Sequence, residues 1–166
     1  MSESVGDQLS TYTARVTAIH EILAKHLPVD GLIQNNRVAN PILPLDCLSA
    51  SWGAGLASPA TLTVAIHPVP DFAAEVEQLR YGAAPEPGTY EAPRVDPDEF
   101  ALVQAHLSSV WVVVRHCEVY LAHRDISPDK LIAAAVEIAH AIGCAPYADD
   151  YEPPLLPPNW DPPAYC

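Results

Sequence analysis

The sequence predicts a mainly α-helical protein, with a small α+β fold as the alternative, that ends in an extended proline-rich arm. Three observations lead to this prediction: long helical periodicities over residues 8–26 and 97–122, a single clear strand at 61–67, and many prolines and aromatic residues at the C-terminal end. A composition of 49% hydrophobic and 17% charged residues is typical of a packed globule. We therefore expect one globular domain over residues 1–144 and a separate arm over 145–166.

The first predicted element is an amphipathic helix over residues 8–26. Apolar residues recur every three or four positions from Leu9 to Leu27, and polar residues occupy the other side. Pro28 follows and disfavours helical geometry in the residue before it, so the helix should end there.

The next two elements are a strand over residues 61–67 and a short helix over 71–80. The strand segment alternates small or polar residues with branched aliphatic ones, which is the pattern of a half-buried strand, and Pro68 ends it. Asp71 is a suitable N-cap for the helix, whose apolar face would carry Phe72, Val76 and Leu79. Residues 82–96 then form a long loop rich in Pro and Gly.

Residues 97–122 decide the fold class. The run Asp96 to Glu99 resembles a helix start, with an N-cap candidate, a proline and acidic residues in the first turn. Apolar residues then keep three- and four-residue spacing from Phe100 to Leu121, whereas the β-branched run around Trp111 favours a strand. Because the periodicity is much longer than the β-branched run, we expect a helix over 97–122, with strand over 108–121 as the alternative.

A fourth helix is expected over residues 128–142. Ser127, Pro128 and Asp129 provide a cap, a first-turn proline and a first-turn acid, and a broad apolar face follows. With a connection of about five residues, this helix and the one over 97–122 should form an antiparallel hairpin.

Charge limits the classes of partner. Twenty-one acidic residues against eight basic ones give a net charge of −13, which argues against direct binding to nucleic acid or to an anionic membrane. We therefore expect a protein partner or a homo-oligomer. The sequence shows no basic segment followed by an apolar run at its start and no stretch of ~18 apolar residues, so we expect a cytoplasmic protein, or one incorporated in a virion after cytoplasmic assembly.

The string from His123 to Ile132 (HRDISPDKLI) resembles the catalytic loop of protein kinases. That resemblance implies that Asp125 would accept the proton of a substrate hydroxyl. Lys130 stands where the family has a magnesium-binding Asn, and no Asp-Phe-Gly follows. The alternative interpretation is a polar turn before a capped helix, and it is the one that we prefer.

Other candidate residues also have structural explanations. Glu137 and His140 have the Glu-x-x-His spacing of di-iron bundles, but such sites need two copies and two further Glu residues. Cys117 could act as a nucleophile with a distant His, although its position favours burial in the core. We therefore expect no catalytic residue, no metal ligand and no cofactor.

The arm carries the functional prediction. It contains seven prolines and four aromatic residues, so it cannot form a regular helix or a central strand. Its expected partner-binding residues, which are large and apolar or aromatic, are Tyr151, Leu155, Leu156, Trp160 and Tyr165. The arm could dock on its own domain or on a neighbour.

These features favour a non-enzymatic structural or interaction subunit of a larger oligomeric assembly, joined through its arm. A phage head-to-tail connector or tail-completion protein is one such subunit, by analogy of architecture alone. The alternatives are an acidic inhibitor or immunity-type protein that binds a basic partner, and a degenerate phosphotransferase-like enzyme that uses His123, Asp125 or Cys117.

Overall fold

A computed structural model describes residues 5–34, 48–56, 58–83, 87–94 and 96–142 of the 166-residue chain. Within these residues, three α-helices cover the two faces of a seven-stranded antiparallel sheet. About 38% of the structure is helix and 36% is strand, so the prediction of a mainly α protein is wrong. No helix in the described part of the chain is both long enough and apolar enough to cross a bilayer.

The helices are α1 (Val5–His26), α2 (Phe72–Ala83) and α3 (Pro128–Ile142). The strands are β1 (Ile33–Gln34), β2 (Leu48–Gly53), β3 (Ala60–Pro68), β4 (Thr89–Ala92), β5 (Glu99–Gln104), β6 (Ser109–Val114) and β7 (Cys117–His123). Their order in the sheet is β1-β2-β3-β7-β6-β5-β4. The central strand β7 therefore joins the meander β5-β6-β7 to β3, which lies far from it in the sequence.

Four predicted elements agree with the structure. The helices expected over 8–26, 71–80 and 128–142 correspond to α1, α2 and α3, and the strand expected over 61–67 lies within β3. The Asp71 carboxylate Oδ1 accepts a hydrogen bond from the Ala74 N–H at 3.1 Å, which is the predicted N-cap of α2.

The helix predicted over 97–122 is wrong, and with it the helical hairpin, because three strands occupy this segment. Asp96 is no helix cap: its side chain accepts the Asp98 N–H at 2.9 Å in a tight turn. Ser108 and Arg115 take positive φ angles, 50° and 54°, at the two turns between strands. The three- and four-residue apolar spacing arises because these strands are buried on both faces, so buried residues follow one another without period-two alternation.

The larger core lies between one face of the sheet, α1 and α3. The α3 residues that it buries are Leu131, Ile132, Ala134, Ala135, Ile138 and Ala139. Leu62, Val110 and Leu121 are among the strand residues that meet them. Full burial of a Leu or Ile side chain contributes about 1.5–3 kcal/mol, so this face supplies most of the hydrophobic stabilisation.

The smaller core lies on the opposite face, where α2 crosses β5 and β6. It is formed by Val69, Val76, Phe100, Leu102 and Val113, with Phe72, Leu79 and Trp111 packed against it. Because α2 is shorter than the sheet is wide, this face carries partly exposed polar side chains beside the helix.

Candidate functional site

A cavity of about 430 Å³ opens beside α2 on the face of the sheet that this helix covers. We call it the carboxylate pocket; its lining residues are His67, Glu75, Gln78, Leu79, Gly82, Leu102, Gln104, Trp111 and Glu118. The register of β3 and β7 pairs His67 directly with Glu118, which brings both side chains to the same place on the sheet. α2 adds Glu75 from above, so three separate elements build the polar end of this pocket.

Glu118 is the unusual residue of the carboxylate pocket, because it is charged and only 1% exposed. Its Oε2 lies 3.2 Å from Nε2 of His67, which is an ion-pair distance. The angles do not make a hydrogen bond, and Oε2 has no hydrogen-bond partner among the residues that the structure describes. Burying a carboxylate oxygen without a full set of partners is costly.

The two neighbours of Glu118 respond to its charge. Hydrogen bonding to Glu118, together with burial, raises the pKa of Glu75 to about 7. The close side-chain contact with the Glu118 carboxylate, together with its negative charge, raises the pKa of His67 against the opposing effect of burial. Near neutral pH, this cluster can therefore hold protons that isolated carboxyl groups would have lost.

The apolar side of the pocket is fixed by Trp111. Its indole Nε1–H donates a hydrogen bond to Oε1 of Gln104 at 2.8 Å, and its ring centroid lies 4.6 Å from that of Tyr120. These contacts orient the indole ring beside Glu118, where its fluorescence can report on events in the pocket.

A second cavity, of about 660 Å³, opens at the other side of α2. We call it the aromatic groove; its lining residues are Phe72, Ala73, Ala74, Val76, Glu77, Arg80, Pro97, Glu99 and Phe100. The Arg80 guanidinium lies 5.3 Å from the centroid of the Phe100 ring, a cation–π contact, and also pairs with Glu91 of β4. The groove is thus apolar and aromatic, with a cation at its wall.

Glu99 joins the aromatic groove to the end of α3. One of its oxygens, Oε2, accepts a hydrogen bond from Arg94 at 2.7 Å, and the other, Oε1, lies 3.7 Å from Nε2 of His140. His140 is in the last turn of α3. The last turn of α3 therefore lies near the start of β5, on the face of the sheet opposite the groove.

The kinase-like string does not gather a catalytic site. His123 is the last residue of β7 and is buried, and its Nδ1 accepts the Asp125 N–H at 3.2 Å. Arg124 and Asp125 are exposed in the turn before α3. Cys117 is buried at the opposite end of β7, about 20 Å away at the rise of a strand, so the residues of the enzyme hypothesis are not brought together.

Glu137 and His140 also have separate partners. Oε2 of Glu137 lies 3.6 Å from Nζ of Lys25 and 3.5 Å from Nε2 of His26, both on α1. His140 faces Glu99 instead. The two residues of the Glu-x-x-His pattern therefore contact different parts of the protein and do not face a common site.

The predicted partner-binding residues lie outside the described part of the chain, so their role stays a prediction. They are Tyr151, Leu155, Leu156, Trp160 and Tyr165.

The sequence did not single out the polar residues of the carboxylate pocket. His67 ends the predicted strand over 61–67, and Glu118 lies within the helix that was wrongly predicted over 97–122. Their pairing required the register of β3 and β7, for which the sequence offers no local signal.

Comparisons with known proteins give one match. No curated protein and no solved structure matches the chain. One family model matches residues 11–161, which include most of the proline-rich segment. Since that match spans most of the 166 residues, the chain belongs to the family described as a domain of unknown function, DUF7956.

Proposed function

We propose that this protein is a non-enzymatic interaction subunit of an oligomeric assembly, in which residues 145–166 of one copy dock in the aromatic groove of the next. The observation that carries the proposal is the open groove itself, which Phe72, Pro97 and Phe100 line with apolar and aromatic surface beside α2. α3 ends on the opposite face of the sheet, where His140 contacts Glu99 of β5. An extended segment of this length reaches roughly 70 Å, which is more than enough to cross to a neighbour.

The chemistry of the groove suits this occupant. Phe72, Pro97 and Phe100 offer an apolar surface for leucine, proline and tryptophan side chains. The segment has no Lys or Arg, and Arg80 at the groove wall is already paired with Glu91, so the apolar and aromatic surface supplies the affinity that we propose. The family match also continues through most of the segment, which supports treating it as part of the same functional unit.

Two exposed tyrosines beside the groove extend the surface that a docked segment would cover. Tyr81 is 87% exposed on α2, and Tyr90 is 50% exposed on β4. Each is adjacent in sequence to a member of the Arg80–Glu91 pair at the groove wall. Large exposed aromatic residues beside an apolar groove are typical of a surface that a partner covers.

Trp160 should be the anchor of the interaction. We expect Trp160→Ala to weaken association by ~2 kcal/mol or more, which is roughly thirtyfold in Kd, and deletion of residues 145–166 to abolish it. Analytical ultracentrifugation of the full chain over a range of concentrations measures both effects.

Groove variants complete the test. Phe72→Ala should weaken association, whereas Leu56→Ala, at an exposed apolar residue on the β2–β3 connection, should leave it unchanged. A monomeric full chain at every concentration, or a truncated chain that keeps its oligomer, would contradict the proposal. A monomer in which Trp160 is protected from quenchers would show docking within one chain and would also contradict it.

A further inference from the structure

The polar end of the carboxylate pocket has the composition of a metal site. Nε2 or Nδ1 of His67 and one carboxylate oxygen each of Glu75 and Glu118 all lie within 4.8 Å of one another. They come from β3, α2 and β7, so the fold itself, and no local sequence run, brings them together. One bound ion can contact three atoms at such separations after small side-chain rotations.

The burial of Glu118 is a second, separate observation that motivates a bound cation. Its side chain is 1% exposed, and its Oε2 accepts no hydrogen bond from the residues that the structure describes. A second carboxylate, Glu75, approaches it, and two carboxylates this close do not both stay ionised without a cation. His67 supplies one positive charge at most, against two negative ones.

We propose that His67, Glu75 and Glu118 bind one divalent transition-metal ion, and that Zn²⁺ is the ion they fit best. An imidazole nitrogen with two carboxylate oxygens is a donor set that Zn²⁺ accepts, whereas Ca²⁺ and Mg²⁺ need six or more oxygen ligands. Three protein ligands leave a fourth tetrahedral position, and all three of these residues line a cavity of about 430 Å³. A water or a small ligand can occupy it.

The pocket side chains also support such an ion. Gln78 and Gln104 line the same cavity, and Gln104 is held in place by the indole of Trp111. Their amide groups can hydrogen-bond a metal-bound water or a ligand carboxylate, as outer groups of metal sites commonly do. The alternative arrangement is purely proteinaceous: Glu75 and Glu118 share a proton and His67 is charged, with no affinity for a metal.

Titration calorimetry of the untagged, chelator-treated full chain with Zn²⁺ distinguishes these arrangements. We expect one site per chain, with Glu75→Gln and His67→Gln each weakening it by at least about tenfold. His140→Gln is the matched control, because it removes a histidine that faces Glu99 on the surface and should leave the strong site intact. Circular dichroism confirms that each variant is folded, and Glu75, partly exposed on α2, can change without exposing the core.

Co²⁺ gives a second measurement on the same proteins. Tetrahedral Co²⁺ in the pocket should give intense visible absorption bands that added Zn²⁺ removes, together with a change in Trp111 fluorescence. The proposal is overturned if the wild-type chain binds neither ion, if Glu75→Gln binds Zn²⁺ as tightly as the wild type, or if His140→Gln alone removes the site.

Discussion

Replacing Phe100 with alanine should destabilise the protein substantially and release α2. The Phe100 ring is 7% exposed and forms the floor of the smaller core, between β5 and α2. Truncating a buried phenylalanine to alanine costs about 3–5 kcal/mol in free energy of unfolding. We expect the lower end, ~3 kcal/mol, because the aromatic groove is open to solvent and water can enter the space that is left. The lost contact with Arg80 accounts for about 0.5–1 kcal/mol of that figure.

Urea denaturation measures this change, and for a chain of this size it corresponds to a fall in melting temperature of roughly 6–12 °C. Leu56→Ala is the control, because this side chain is 78% exposed on the β2–β3 connection, outside the proposed docking surface, and its loss should change stability by less than about 0.5 kcal/mol. A change of less than about 1 kcal/mol for Phe100→Ala would show that α2 does not depend on this ring, and the account of the smaller core would be refuted.

Two further predictions concern the α2 cap and the end of β7. Asp71→Ala should lower the free energy of unfolding by about 1 kcal/mol because it removes the bond to the Ala74 N–H, and Asp71→Asn should retain most of it; urea denaturation of both variants checks this. Burial lowers the pKa of His123, so the folded state favours its neutral form. The contribution of His123 to the free energy of unfolding is therefore complete above about pH 6.5, the pKa of an unfolded histidine, and decreases as the pH falls toward the lower pKa of the folded state. Between about pH 7.5 and about pH 5.5, the wild type should therefore lose more stability than His123→Gln, and equal losses would contradict the assignment.

The three helices and β3 could be predicted because their signals are local. α1 and α3 each present one apolar side to a single sheet face, so the 3.6-residue period survives in the sequence. The start of α2 could be predicted because Asp71 is a typical N-cap residue, and its side chain does cap the helix. β3 alternates partly exposed and buried residues from Thr61 to Val64, and this alternation is visible in the sequence.

The meander β5-β6-β7 could not be predicted because its signals conflict. β5 and β6 are covered by helices on both sides, so buried residues such as Val112, Val113 and Val114 follow one another. Their turns use Ser108 and Arg115 at positive φ, where the sequence offers no Gly or Asn to mark a break. An apolar segment that has neither turn residues nor alternating polar residues resembles a long helix in the sequence. The pairing of His67 with Glu118 was lost with it, because a ligand set drawn from three elements leaves no spacing motif.

The short outer strands have a consequence for how copies of this chain can meet. In the part of the chain that the structure describes, which leaves out residues 35–47 directly after β1, β1 contributes two residues and β4 four. These described strand borders offer only a few unpaired backbone groups to another chain. Aggregation of β proteins commonly begins when a strand of another chain pairs with an exposed edge strand. These short edges offer few backbone groups for such pairing. Among the residues that the structure describes, side-chain surfaces such as the aromatic groove therefore offer a partner more than these strand borders do.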